Sequence, residues 1–335
     1  MKYQNILNDK TQCTVCPRQC VLKNGQRGFC HVRQNIDGNI VLTSYGYNTG
    51  LAVDPIEKKP LYHFLPSSRI LSFGTIGCNL GCQFCQNWQT SKATVDPQKL
   101  NKVSPQVIAQ LALKHNCQSV AFTYNEPTIF LEYAIDTAIA CKKLGIKTVA
   151  VSAGYINPEP RAELYKYIDA VNIDLKAFNN DFYKRNCLAS LEPVLDTLKY
   201  IKNETKTWLE VTTLLIEGEN DSDEQLNEEC EWLVSNLGAS VPLHFSAFRP
   251  HFKFHDRPTT HIDTLKRARN IALSKGIKYV YAGNVANPET STTYCKNCGE
   301  KLIVRNGFFV QENNLIQSNT CSNCNTLCDG IFYKI

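Results

Sequence analysis

Cys78, Cys82 and Cys85 lie within the stretch Gly77-Cys-Asn-Leu-Gly-Cys-Gln-Phe-Cys-Gln-Asn-Trp88. Three thiolates in one short loop can hold three irons of a 4Fe–4S cluster, and the stretch offers no fourth cysteine. One iron is then open to a ligand that is not protein. That is the arrangement of a catalytic rather than a structural metal centre. The bland alternative is a zinc knuckle completed by a distant cysteine.

Two further cysteine sets stand at the ends of the chain. Cys295 and Cys298, then Cys321 and Cys324, have the spacing of a zinc ribbon, two tight turns bracketing one tetrahedral ion. Cys328 follows closely and either replaces a ligand or stays free. Cys13, Cys16, Cys20 and Cys30 are equally dense and can close around zinc or a second 4Fe–4S cluster. The reading leans to zinc, because nothing nearby suggests an electron path. Cys117, Cys141, Cys187 and Cys230 are scattered and read as small apolar core residues or helix-surface thiols.

Polar groups also recur where strands should end. Glu126 follows Tyr124-Asn125, and its carboxylate could meet an ammonium group; it could equally face the start of a helix. Ser152 precedes Ala153 and Gly154, where a ligand can approach the backbone. Asp174 and Lys176 flank Leu175 and could also be a surface ion pair of little worth. His244 could be a satisfied core histidine. Together, such groups around a three-cysteine loop favour a site.

The elements that must position these groups alternate between strand and helix. Strands are expected at 70–75, 119–124, 147–152, 170–175, 207–216 and 242–248, with a short one at 278–282. Helices are expected after Ser104-Pro105, over 128–144, 160–167 and 191–202, after Ser222, and near 260–275; Ser222 with Gln225 reads as a capping box. This alternation predicts an α/β fold with a parallel sheet and helical crossovers, curled into a partial (β/α)6 barrel. Chemistry in such folds sits at the carboxyl ends of the strands, where the three-cysteine loop falls. Residues 1–50 read as a cysteine-rich module, 51–287 as the barrel and 288–335 as a zinc-ribbon-like module, the small flanks each needing a metal to hold them together.

The CxxxCxxC spacing, with Phe84 before the last cysteine, resembles the radical S-adenosylmethionine (SAM) enzymes. Nearly the whole chain resembles one group of them, the AmmeMemoRadiSam system enzymes, related to pyruvate formate-lyase activating enzymes. The resemblance rests on the Cys-Pro-Arg-x-Cys start and Gly28-Phe-Cys-x-Val-Arg33. It rests further on Val53-Asp-Pro-Ile-Glu-Lys-Lys-Pro-Leu-Tyr-His-Phe-Leu-Pro66, the three-cysteine core and Tyr281-Ala-Gly-Asn284. It implies one SAM-cleaving 4Fe–4S cluster, with SAM lying across the strand ends near Phe84, Glu126, Ser152, Asp174, Lys176 and His244. It also implies Memo-like and AMMECR-like companions and an electron donor such as flavodoxin or ferredoxin. The chain departs from the activating enzymes in two places: Tyr124-Asn125 stands for a Gly-Gly pair, and Ala153 for an asparagine.

The chain of 335 residues is 43% hydrophobic and carries a net charge of +5, with no polybasic run. The charge argues for neither nucleic acid nor membrane, and no apolar run is long enough to span a bilayer. The amino terminus lacks the apolar core of a signal peptide. The sixteen cysteines are therefore expected to be metal ligands in a cytoplasmic protein before they are disulfides. The expected function is generation of a 5'-deoxyadenosyl radical that abstracts hydrogen from an unidentified substrate. A glycyl-radical activase acting on a partner protein is the nearer alternative. A non-enzymatic metal-binding module for nucleic acid is the more distant one, disfavoured by the lack of a basic, aromatic-rich stripe.

Overall fold

The computed structural model describes residues 2–317 and 319–333. An eight-stranded sheet runs through the middle of the chain, in the order β8-β7-β6-β5-β4-β3-β2-β1. Its strands are β1 (Leu51–Pro55), β2 (Arg69–Phe73), β3 (Ser119–Phe122), β4 (Lys147–Ser152), β5 (Ala170–Asp174), β6 (Trp208–Leu215), β7 (Leu243–Ala247) and β8 (Val280–Gly283). From β2 to β8 every neighbouring pair is parallel. β1 is antiparallel to β2 at the edge. Near-continuous apolar runs such as Ile70-Leu-Ser-Phe73 and Ser119-Val-Ala-Phe122 suit strands covered on both faces. The partial barrel expected from the alternation is the fold observed, and its seven parallel strands match the seven expected. β1 was not anticipated, because its sequence ends in the Asp-Pro of a charged, proline-containing segment.

One helix fills each crossover: α1 (Pro105–Lys114), α2 (Leu131–Lys143), α3 (Pro158–Tyr165), α4 (Glu192–Glu204), α5 (Asp223–Leu237) and α6 (Ile262–Ser274). Ser104 caps α1 by accepting from Val107 N, with Pro105 at the first turn. Ser222 caps α5 in the same way, by accepting from Gln225 N. The capping box expected there is only half made, since Gln225 Oε1 has no partner.

The amino-terminal residues form an antiparallel sheet of Gln4–Leu7, Lys10–Cys13 and Val21–Lys23, and a hairpin of Arg33–Ile36 with Asn39–Leu42. Val15, Leu22, Val32 and Ile40 belong to the same buried cluster as the barrel core. So short a segment cannot bury enough apolar surface alone, and it borrows the barrel's. At the other end, Lys301–Asn306 pairs with Phe309–Asn313, and Leu302 and Ile303 pack with Tyr62, Tyr279 and Tyr281 of the barrel.

The segment 53–66, the longest stretch behind the family resemblance, closes the barrel at the starting ends of its strands. Tyr62 N and His63 N donate to Glu210 at 3.0 and 2.8 Å, and Asn172 Nδ2 donates to Pro60 O at 3.0 Å. Lys59 pairs with Asp54 at 2.7 Å. Arg305 reaches in from the carboxyl-terminal sheet, donating to Tyr62 O at 2.7 Å and lying 3.6 Å from Glu57, with both side chains fully buried. His63 sits between Asp329 O and the Tyr281 hydroxyl, and burial lowers its pKa to about 4.

Candidate active site

β2 delivers the three cysteines to the end of the barrel opposite this plug. Two glycines set the path. A Cβ on Gly74 would lie 2.3 Å from Thr123 O, and one on Gly77 would lie 2.1 Å from Cys30 O, with φ at +84°. No side chain fits at either position. Asn125, at the end of β3, then pins the loop. Its Oδ1 accepts from Thr75 N at 3.1 Å, and its Nδ2 donates to Thr75 Oγ1 and Gly77 O, each at 3.0 Å. The departure from a Gly-Gly pair is thus a loop clamp. On the far side Gly81 N donates to Cys187 O at 2.7 Å and Gln83 N to Asn186 O at 2.9 Å. The Arg18 guanidinium donates to Asn79 O and Leu188 O.

Cys82 is buried and Cys78 and Cys85 are half-buried. Leu80 N points at Cys78 Sγ at 3.4 Å, and Cys85 Sγ lies 3.1 Å from Ser91 Oγ. Cys187, read from sequence as a scattered thiol, lies beside Cys82 and, with the nearby Lys176 and Lys92, holds Cys82 below the usual thiol value. Burial pushes Cys78 up. Two lysines beside three thiols offer the charge compensation that an anionic thiolate centre needs.

The strand ends gather around this loop. Glu126 follows β3 and is buried. Its carboxylate accepts from Thr128 N (3.1 Å), Thr128 Oγ1 (2.7 Å), Ser152 Oγ (2.7 Å) and Ala153 N (2.7 Å). Burial outweighs these donors and leaves its pKa above the ordinary carboxyl range. Glu126 and Ser152 are therefore brought together, with Gly154 at φ +67° in the same turn. Asp174, the last residue of β5, pairs with Lys176 at 2.6 Å. Burial opposes the lysine's charge, but Asp174 and the sulfur of Cys82 outweigh it and raise its pKa. Phe84 is buried against Phe182 and Phe254, with ring centroids 5.7 and 6.0 Å away.

His244 does not join them, which corrects the expectation that it faces SAM. It is the second residue of β7, near the start of the strand, and its Nε2 lies 2.7 Å from Glu210. Its ring packs between Tyr62 and Tyr281. Burial pushes the Glu210 carboxyl up, but His244 and His63, with the Tyr62 backbone N–H, hold it below the usual range. His244 is a satisfied core histidine. The histidine near the mouth is His251, past the end of β7. With Arg249, Gln86, Phe84 and Asn284 it lines a cavity of ≈ 400 Å³. The signal was present in Arg249-Pro-His251, polar residues directly after an apolar strand, but a histidine inside the strand drew the assignment instead.

The outer cysteine sets differ from one another. The sulfurs of Cys295, Cys298, Cys321 and Cys324 all lie within 4.8 Å of one another. Cys295 and Cys324 approach to 3.6 Å and Cys298 and Cys321 to 3.7 Å. Four sulfurs at about 2.3 Å from one tetrahedral ion would be roughly 3.8 Å apart. No other group of three or more histidine, cysteine or acidic ligand atoms among the described residues draws together so closely. Cys328 stays outside the group, buried with its sulfur 3.8 Å from His63 Nδ1.

Residues 73–230 match the Radical SAM superfamily. The match starts at the end of β2 and covers the three-cysteine loop, Glu126, Ser152, Asp174 and Lys176. Residues 73–230 form a Radical SAM domain, and the chain is an enzyme. An uncharacterized protein of Methanocaldococcus jannaschii, MJ0808, is 42% identical over 330 residues, covering 98% of each chain, and the two are members of one family. The pyruvate formate-lyase-activating enzyme of Listeria monocytogenes serovar 1/2a is 25% identical over 170 residues, 47% of this chain and 66% of that enzyme. Among solved structures, Streptococcus suis SuiB bound to precursor peptide SuiA superposes with a TM-score of 0.51 at 17% identity, covering 68% of this chain and 51% of SuiB. That likeness is one of fold. No helix among the described residues is long and apolar enough to cross a membrane.

Proposed function

We propose that Cys78, Cys82 and Cys85 ligate a 4Fe–4S cluster, that SAM binds across the neighbouring strand ends, and that a substrate enters the ≈ 400 Å³ cavity beside them. The observation that carries this reading is the three-thiol loop itself, at the carboxyl end of β2. Its sulfurs stay further apart than those of the carboxyl-terminal set, as separate irons of a cluster require and a single ion does not. When bound, the cluster and SAM supply a 5'-deoxyadenosyl radical, which takes a hydrogen atom from the substrate.

The chain's own residues position and insulate. Asn125 and Arg18 hold the cysteine loop in shape from two sides. Lys92 and Lys176 offset negative charge at the thiolates. Glu126 fixes the turn Ser152–Gly154, so that its backbone is presented at a constant height. Asp174 keeps Lys176 charged and has a second carboxylate oxygen for a hydroxyl group. Phe84, backed by Phe182 and Phe254, keeps water from the inner wall, while Arg249 and His251 line the cavity mouth.

The similarity to a pyruvate formate-lyase-activating enzyme favours a second reading, an activase that takes hydrogen from a glycine of a partner protein. The extended resemblance in residues 53–66 supports membership of the AmmeMemoRadiSam system, with Memo-like and AMMECR-like partners and a flavodoxin or ferredoxin as electron donor. The four close sulfurs at Cys295, Cys298, Cys321 and Cys324 support structural zinc there, and the free thiols support a cytoplasmic location. In the test, reconstituted protein, reductant and SAM are incubated with a Memo-like protein carrying deuterated glycine. Deuterium in 5'-deoxyadenosine supports a protein substrate. 5'-Deoxyadenosine without deuterium favours a small molecule. No 5'-deoxyadenosine under any strongly reducing condition overturns the enzyme mechanism.

A further inference from the structure

For Cys13, Cys16, Cys20 and Cys30 the sequence leaves zinc and a second cluster open and leans to zinc. The structure reverses that preference. Cys13 ends a strand, and its N–H bonds to Cys20 O at 2.9 Å across the hairpin. Cys16 and Gln19 close the turn between them, with Gln19 at φ +46°. Cys30 sits on a second turn, closed by His31 N to Gly28 O at 2.9 Å. All four cysteines line one cavity with Arg18, Arg33, Asn79 and Ile129.

The spacing of the sulfurs decides between the two metals. The carboxyl-terminal cysteines of the same chain close to the spacing of one tetrahedral ion. Among the described residues no three of the amino-terminal four draw together in this way. A cubane spreads its four thiolates over four irons, so its sulfurs stand further apart than those around one tetrahedral ion.

Charge fits as well. A thiolate-ligated cluster is an anion. Arg33 is buried in the wall, fixed by Glu132 at 2.7 and 2.6 Å and by Ile129 O at 3.0 Å. Arg18 lies over the Phe29 ring at 3.5 Å. The wall is shared with the active site. Asn79, which follows Cys78, lines the cavity beside Cys16, and Cys30 O rests against the Gly77 backbone.

We propose that Cys13, Cys16, Cys20 and Cys30 ligate a second 4Fe–4S cluster, one thiolate to each iron, back to back with the three-cysteine loop. Each thiol loses its proton as its Fe–S bond forms, and no site is left open for SAM. The proposal stands on these four cysteines alone and survives if the SAM-facing assignment fails.

The test is metal counting and Mössbauer spectroscopy on wild-type protein reconstituted anaerobically with iron, sulfide and zinc together. About eight iron and eight sulfide per chain, with about one zinc, is the expected result. Four iron with two zinc would overturn it. A second preparation, C78A/C82A/C85A, should retain four iron and a dithionite-reduced electron paramagnetic resonance signal that SAM does not perturb. A folded triple variant with no iron would also overturn the proposal. In wild-type protein with both clusters reduced, the two signals should broaden each other by spin coupling. Two unbroadened signals would contradict the shared wall.

Discussion

Exchanging Glu126 for glutamine preserves the side chain's shape and removes one acceptor. In the native chain Oε1 accepts from Thr128 N at 3.1 Å, and Oε2 accepts from Ala153 N at 2.7 Å. Both donors are backbone N–H groups on opposite oxygens, and neither can turn away. The hydroxyls of Thr128 and Ser152 can rotate to accept instead. An amide has one oxygen, so either flip leaves one buried backbone N–H facing an NH2 group. An unpaired buried donor costs about 1–3 kcal/mol. At about 2.1 cal/mol/K per residue, a chain of 335 residues has an unfolding entropy of roughly 0.7 kcal/mol per degree. The expected fall in Tm is therefore about 1–4 °C. Calorimetry of anaerobic samples, with iron measured on the same material, reads it. Iron content should be unchanged, because Glu126 is not a thiolate. An unchanged Tm in E126Q would refute the argument that this carboxylate holds the Ser152–Gly154 turn.

Glu229 is buried with Thr213 as its hydrogen-bond partner, and burial raises its pKa to about 7. Because the folded value lies above the unfolded one, its contribution is fully present below about pH 4.5 and is lost as pH rises through 7. Wild-type stability should fall by up to roughly 3 kcal/mol across that window, and E229Q should flatten the fall in urea titrations at pH 5 and pH 8. Replacing Arg305 by methionine strands the buried Glu57 and should cost about 3–5 kcal/mol. R305M/E57L should recover part of it by the same denaturant assay. Removing one carboxyl-terminal thiolate, as in C298S, should lower bound zinc by about one per chain and expose residues 288–335 to protease, since ion binding supplies much of such a module's folding energy.

The parallel strands, the crossover helices and the cysteine loop were legible because local pattern carries them: apolar runs, Ser104-Pro105, and three cysteines in one stretch. What was not legible depends on groups that meet only in the fold. Asn125 looked like a lost glycine until its amide was seen bridging Thr75 and Gly77. Glu210 is a lone acidic residue in an apolar strand, and only the backbone of Tyr62 and His63 explains it. That same carboxylate turned His244 inward and left the cavity mouth to His251. The segment 53–66 carries the family resemblance, yet it reads as loop from its charges and prolines. Its partners, Glu210 and Arg305, come from distant parts of the chain. The amino-terminal cysteines could be grouped by their spacing in the sequence, but that spacing does not report how far apart the fold holds their sulfurs.

The central claim is that Cys78, Cys82 and Cys85 hold a cluster with one iron open to SAM. Electron paramagnetic resonance of anaerobically reconstituted, reduced protein tests it most directly, recorded with and without SAM in wild type and in C78A/C82A/C85A. The account predicts a 4Fe–4S signal in wild type that changes on adding SAM, and no SAM-responsive signal in the triple variant. The same SAM-responsive signal persisting in the triple variant would contradict it.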